Sequence, residues 1–218
     1  MKKSHLRFPL TPIRLAPLLL VLAALAPALR AQASLAAPAP TATERDEGLL
    51  GQTYSFLDFN YVGQHGGPGH TGGPTLGANL AVGDNADVTM NFSYARQTQW
   101  PDDGHLYQLG VDTTVYARIH GVKPFLTIGL GYQSTHTTTR NDFSTWEGGA
   151  GVEVVVAART SLLLKALRVG SLQDTMVSEG QYSAAINRWL SANTAVTAMV
   201  LVNKSRDKGY TLGLRRTF

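Results

Sequence analysis

What most restricts this chain is a period-two alternation of apolar and polar residues, recurring in short segments from about residue 51 to the last residue. Val88, Met90, Phe92 and Tyr94 alternate with Thr89, Asn91, Ser93 and Ala95. Tyr107, Leu109, Val111, Val115 and Ala117 alternate with Gln108, Gly110, Asp112, Thr114 and Arg118. Leu126, Ile128, Leu130 and Tyr132 stand against Thr127, Gly129, Gly131 and Gln133. Trp146, Ala150, Val152, Val154 and Val156 stand against Glu147, Gly149, Gly151 and Glu153. Successive side chains of a strand point to opposite faces, so each segment is a strand with one apolar face and one polar or glycine face.

Ten such segments are read, at 53–63, 75–83, 87–97, 105–119, 124–135, 144–157, 161–171, 181–190, 194–203 and 208–218. Several approach the roughly 9–11 residues that a tilted strand needs to cross a bilayer. The second, seventh and ninth are less regular, and Leu162-Leu163-Leu164 leaves the facing of the seventh open to a bulge. Tight connections around Asp84-Asn85-Ala86, His120-Gly121-Val122, Arg159-Thr160 and Ala192-Asn193 alternate with longer polar ones at 65–74, 98–104, 135–143 and 172–180; the last, 204–208, is short but charged. Short turns on one rim and long loops on the other predict an all-β fold: a closed antiparallel up-and-down transmembrane barrel. Ten strands are expected, with eight the competing count.

Residues 1–33 have a different character. Lys2, Lys3, Arg7 and Arg14 precede the apolar run Leu18–Leu25, and Ala31-Gln32-Ala33 closes the stretch. Charge, apolar core and small residues in that order predict a secretory signal peptide. The rival reading, a membrane anchor, needs a longer run than Pro17 and Pro27 allow. Residues 34–50 read as a flexible periplasmic tether, and residues 51–218 as the barrel.

The leader accounts for the basic character. Five of the 19 Lys and Arg lie in residues 1–33, leaving 14 bases against 15 acids, so the expected mature chain offers nucleic acid no basic surface. The chain has no cysteine, which excludes a lipid-anchored lipoprotein and a disulfide-stapled fold. After residue 33 no apolar stretch is long enough for a spanning helix, so a membrane would have to be crossed by strands.

Aromatic residues give a second line of argument. With the first strand running outward, Tyr61, Tyr94, Tyr107, Tyr132, Trp146, Tyr182 and Tyr210 fall at outer strand ends. Phe56, Phe125, Trp189 and Phe218 fall at inner ones. Two rims of amphipathic rings read as two interfacial girdles; the plainer reading is that aromatics favour strand ends beside loops.

In the last segment Tyr210, Leu212, Leu214 and Phe218 share a face, and Phe218 ends the chain. This resembles the terminal strand of bacterial outer-membrane barrels, which implies recognition by the barrel-assembly machinery. Arg216 stands where such strands carry an apolar or aromatic residue. The opening Tyr54-Ser55-Phe56-Leu57-Asp58-Phe59-Asn60-Tyr61-Val62 is similar to small barrels of the OmpA transmembrane-domain or opacity-porin type. The resemblance implies an outer-membrane location, with lipid and lipopolysaccharide around the barrel and periplasmic chaperones on its route. It implies no catalytic residue.

With the apolar face on lipid, Asp58, Asn60, Asn91, Gln108, Asp112, Arg118, Gln133, Glu147, Glu153 and Lys165 point inward. A hairpin centred near Arg159 pairs Glu153 with Lys165. The lumen is then either a narrow polar pore or a salt-bridged plug. Barrels of about eight strands are filled by side chains, which favours the plug, although inward Gly129, Gly131, Gly149 and Gly151 leave local room.

His65, His70, His105 and His136 sit in or beside the longer loops. His65-Gly-Gly-Pro-Gly-His70 is not a recognised ligand spacing, and polar loops carry histidines anyway, so neither metal nor cofactor is expected. Asp102, Asp103 and His105 share a loop as acid–base residues of a rim protease or lipid-modifying enzyme would, but without a second constellation; the chain reads as non-enzymatic. A soluble lipocalin-like binder fits the same alternation with the faces exchanged.

Overall fold

The computed structural model describes residues 55–66, 69–99, 103–117, 119, 121–137, 140–173, 178–191, 193–205 and 207–218. The expected leader and tether lie outside these residues, as does Arg118. Ten strands run in chain order: β1 Phe56–Gly66, β2 Gly69–Ala81, β3 Ala86–Gln99, β4 Gly104–Tyr116, β5 Val122–His136, β6 Arg140–Ala157, β7 Thr160–Ser171, β8 Glu179–Trp189, β9 Thr194–Asn203 and β10 Lys208–Thr217. Each pairs antiparallel with the next, and β10 returns to β1, closing the barrel. The eight-strand count falls with that closure.

The alternation settles which face points where. Leu57 and Phe59 on β1, Leu126, Ile128 and Leu130 on β5, and Leu212 and Leu214 on β10 all project from the outer surface. Phe59 is 62 % exposed and Ile128 69 %, whereas Tyr116, Phe125 and Trp189, of opposite parity, are at most 9 %. A soluble barrel buries its oily face and wets the polar one. Here the oily face is outside, which overturns the lipocalin-like alternative. Closure leaves no unpaired edge strand, so each strand pairs on both sides and the belt can sit in hydrocarbon.

Three expectations need correction. The first is the contrast in loop length. The start of β1, the end of β10 and one set of turns lie at what we call the terminal rim, where strands are joined across 82–85, 117–121, 158–159 and 190–193. At the opposite, distal rim the connections are 67–68, 100–103, 137–139, 172–178 and 204–207, of which only 172–178 is long. Ladder bonds belong to the backbone, so the glycine-rich start of β2 and the polar ends of β5 and β6 keep pairing after the apolar pattern has ended.

The second is the Glu153–Lys165 pair. Both side chains face inward, but Glu153 opposes Leu163, and Lys165 opposes Gly151. The hairpin is two residues tight, Ala157 facing Thr160, and a bulge between Val155 and Ala157 shifts the register. The irregularity expected in the seventh strand lies in β6, the sixth.

The third is the inner aromatic girdle. Phe56, Phe125 and Trp189 point into the lumen with Asp58, Thr127 and Asn187; of the four residues, only Phe218 faces outward. Position along a strand was read correctly for these rings, but their parity was not applied.

Two turn positions require left-handed backbone. Gly83 and Gly121 each have φ 72° with empty space around them, so conformation rather than packing selects glycine. Arg159 adopts the same region, at φ 58°, with a side chain.

Candidate functional site: the lumen and the distal rim

Asp58 and Asn60 on β1, Asn91 on β3, Gln108 and Asp112 on β4, Gln133 on β5, Glu147 and Glu153 on β6 and Lys165 on β7 all have the parity opposite to the apolar belt. The lumen also holds charged residues that a reading of the clearest segments missed: Asp87, Lys123 and Arg215. Their parity was available, since Asp87 precedes Val88, Lys123 is two residues before Phe125, and Arg215 follows Leu214.

The terminal end of the lumen carries connected polar groups. Arg215 on β10 donates from Nε and Nη2 to the two oxygens of Asp58 on β1, each at 2.9 Å. Its guanidinium lies 3.8 Å above the Phe56 ring. On the facing wall Lys123 Nζ lies 3.8 Å from Asp87 Oδ2 and 3.7 Å from the Tyr116 ring centroid. Lys123 is also the register partner of Glu153, which accepts from Ser161 Oγ at 2.5 Å. Asn187 Nδ2 reaches that same Ser161 oxygen at 3.4 Å, and Thr197 Oγ1 donates to Asn187 at 2.9 Å. Acids, bases and amides taken out of water must be paired to avoid a desolvation cost of several kcal/mol per ion, and these are.

Midway along the lumen the polar groups are sparser. Lys165 Nζ sits 3.6 Å from Glu147, and Asn91 donates to Asp112 at 3.2 Å. Nearer the distal rim Ser93 donates to Gln108, which donates to Gln133 at 2.9 Å; Gln108 is exposed, and Ser93 and Gln133 are half-buried.

The inward glycines do not leave the room expected of them. A Cβ on Gly129 would collide with the Asp112 carboxylate and meet Glu147 Cγ at 3.0 Å. At Gly151 it would strike the Phe125 ring, and at Gly131 it would lie 2.6 Å from Thr145 Oγ1. Each missing side chain is the space a neighbouring one occupies.

On the outer surface at the distal rim, polar and aromatic groups replace the belt. Tyr94 OH lies 2.7 Å from His105 Nδ1, and the Tyr107 ring is edge-on to His136. Arg140 Nε contacts both oxygens of Asp142, at 3.0 and 2.9 Å, and Ser134 Oγ donates to Asp142 at 2.6 Å. His136 Nε2 is 2.9 Å from the same serine oxygen. In a nucleophilic triad the carboxylate orients the histidine; here it holds the serine and is neutralised by Arg140. The other acid–base candidate is also dispersed: Asp103 pairs with Arg96, His105 pairs with Tyr94, and Asp102 lies outside the described residues.

Tyr210, Leu212, Leu214 and Phe218 all project outward from β10 beside the seam with β1, where the Tyr210 ring covers Gly63. Arg216 is on the same face and donates to Thr194 Oγ1 at 2.9 Å.

No protein-family model matches this chain, and no curated protein matches it. Among solved structures it is similar to a KdgM porin, at 9 % identity and TM-score 0.44 over 75 % of this chain and 99 % of that one. The N-terminal barrel of Pseudomonas aeruginosa OprF is 13 % identical at TM-score 0.40, over 77 % and 100 % of the two chains. Neisserial surface protein A is 13 % identical at TM-score 0.41, over 76 % and 96 %. The assignment follows from the molecule's own architecture. A closed antiparallel barrel with an apolar belt outside and charge inside is how a membrane is spanned by strands, and this chain has that architecture.

Proposed function

We propose that the barrel is closed to solutes in its resting state and serves as a membrane-embedded scaffold that interacts with its surroundings through the distal rim. One observation carries this reading: the Asp58–Arg215 pair, stacked on Phe56 and facing the Lys123, Tyr116 and Asp87 cluster, lies where a channel would have to pass. The low accessibility of Tyr116, Phe125 and Trp189, at most 9 %, supports it, because side chains lining an open channel would be wetted. Barrels near this size are ordinarily filled by side chains, and water-filled lumens belong to about 16 strands or more.

The partners follow from the outer surface. Lipid acyl chains cover the belt. Lipopolysaccharide headgroups meet the ring of Tyr94, Tyr107, His136 and Arg140 at the distal rim, where amphipathic rings and a guanidinium suit a phosphorylated glycolipid. The β10 face of Tyr210, Leu212, Leu214 and Phe218 is what the assembly machinery would read after chaperones deliver the chain. Among the described residues neither acid–base candidate is assembled for chemistry on a substrate: Asp103 and His105 have separate partners, and Asp142 is held by Arg140.

Single-channel recording in planar bilayers tests the reading. Purified protein is expected to show no stepwise conductance above the lipid baseline, and Asp58→Ala/Arg215→Ala is expected to introduce it. Stable open-channel steps from the unaltered protein would overturn the plug.

A further inference from the structure

His65 and His70 are separated in sequence by Gly-Gly-Pro-Gly, with no ligand spacing to recommend them. The fold makes them direct partners. They oppose each other at the distal end of the β1–β2 hairpin, next to the last pair Gly66 and Gly69. Their rings stack with centroids 4.4 Å apart at 28°, and the two Nδ1 atoms are 2.8 Å apart in an exposed position.

Two imidazole nitrogens at that distance share one hydrogen, one ring donating and the other presenting its lone pair. A divalent transition ion can take the place of that hydrogen. With metal–nitrogen bonds of about 2.0–2.1 Å, two neighbouring nitrogens of the tetragonal geometry that copper prefers stand about 2.9 Å apart, so the two nitrogens already have that separation and the rings need only turn both lone pairs toward one ion. A rigid two-stranded hairpin supplies the preorganisation, and hydrocarbon does not cover the site.

A second histidine pair sets the comparison. His105 and His136 are also register partners, on β4 and β5. One nitrogen of each is engaged elsewhere, His105 Nδ1 with Tyr94 OH and His136 Nε2 with Ser134 Oγ. Binding through those nitrogens would break two hydrogen bonds. At His65 and His70 it replaces one shared proton. Charge near the first pair is mixed: Lys208 opposes His65 across β1 and β10, while the Asp207 carboxylate lies close enough to interact with the His65 ring.

We propose that His65 and His70 form a bidentate clip for a divalent transition metal ion at the distal rim, with Cu²⁺ held most tightly and water completing the coordination. The ion follows from two neutral nitrogen donors and the rising affinity of such donors toward copper. Among the described residues no group of three or more His, Asp, Glu or Cys converges on a metal position, so an open, exchangeable site is implied rather than a structural one.

The test is titration of the folded barrel in detergent micelles with Cu²⁺, followed by calorimetry and by electron paramagnetic resonance. One saturable site with a two-nitrogen hyperfine pattern is expected. His65→Ala and His70→Ala should each weaken binding by about tenfold or more, since even outer-shell changes cost 10–100-fold. His105→Ala/His136→Ala should bind as the parent does. Heat-modifiable migration on gels checks that each variant is folded. The proposal is overturned if the parent shows no saturable binding, if neither His65→Ala nor His70→Ala changes it, or if His105→Ala/His136→Ala abolishes it.

Discussion

Arg215 on the last strand grips Asp58 on the first through two parallel 2.9 Å hydrogen bonds, and the two residues are register partners across the seam that closes the barrel. One ion pair thus lies inside the lumen and spans the seam that closes the barrel. A slip of one residue between β1 and β10 would put Asp58 and Arg215 on opposite faces.

This arrangement sets the first expected outcome. Asp58→Leu or Arg215→Met alone should destabilise the barrel by about 3–5 kcal/mol, because each leaves an unmatched charge in the lumen. The double variant should recover most of that loss. Urea unfolding in lipid vesicles measures it, and single variants costing less than about 1 kcal/mol would contradict a buried pair.

Ile128 is the most exposed residue of the belt on β5, at 69 %. Ile128→Arg should cost about 2–4 kcal/mol in a bilayer, the penalty for a cation near the midplane of a barrel's lipid face. In a water-soluble barrel the same exposed substitution would be close to neutral. Refolding equilibria into vesicles distinguish the two.

Gly129 lies between Asp112 and Glu147, and an added Cβ would collide with the Asp112 carboxylate. Gly129→Ala should destabilise by about 1–3 kcal/mol. Asp112→Gly, by clearing that space, should rescue it. A double-mutant cycle without coupling would show that Asp112 does not occupy the gap.

Arg159 adopts φ 58° in the β6–β7 hairpin. Arg159→Gly should stabilise by about 0.5–1 kcal/mol: the left-handed penalty of about 1–2 kcal/mol is removed, less the extra unfolded-state freedom of glycine. A loss of stability would mean that the Arg159 side chain contributes more than its backbone strain costs.

Asp207 lies in the β9–β10 connection. Hydrogen bonds from Asn203 and Ser205 hold its carboxyl below the ordinary carboxylate value, against a small opposing effect of burial and with His65 adding to the lowering. A group depressed in the folded state contributes stability above its unfolded pKa and loses it as pH falls through the folded one. The connection should therefore stay ordered at neutral pH and loosen only under acid conditions. Asn203→Ala should move the Asp207 titration, followed by carboxyl NMR, back upward; an unchanged titration would remove Asn203 as the cause.

Much of this architecture was legible in the residues. Val88 to Ala95 and Leu126 to Gln133 alternate cleanly enough to assign strand and to sort the residues onto two faces. Asp112, Glu147 and Lys165 could be placed on the polar face on parity alone. What failed was partnership. Lys165 opposes Gly151 and reaches Glu147, not Glu153, because the two-residue hairpin and the bulge beside Val155 together move the register by two positions, and the bulge lies in a run of valines that carries no turn signal. Likewise, nothing in Thr71-Gly72-Gly73 says that pairing continues past the apolar belt and brings His65 against His70.

By itself the sequence determined that the chain makes strands and which side chains share a face. Only the tertiary structure decided that the oily face lies outside, and which inward groups meet. The reason is the period of two: alternation assigns every residue a face, but a register shift of two positions leaves all faces unchanged and exchanges every cross-strand partner. Hairpin tightness and bulges choose among those equivalent registers, and they act through backbone geometry that the apolar pattern does not carry.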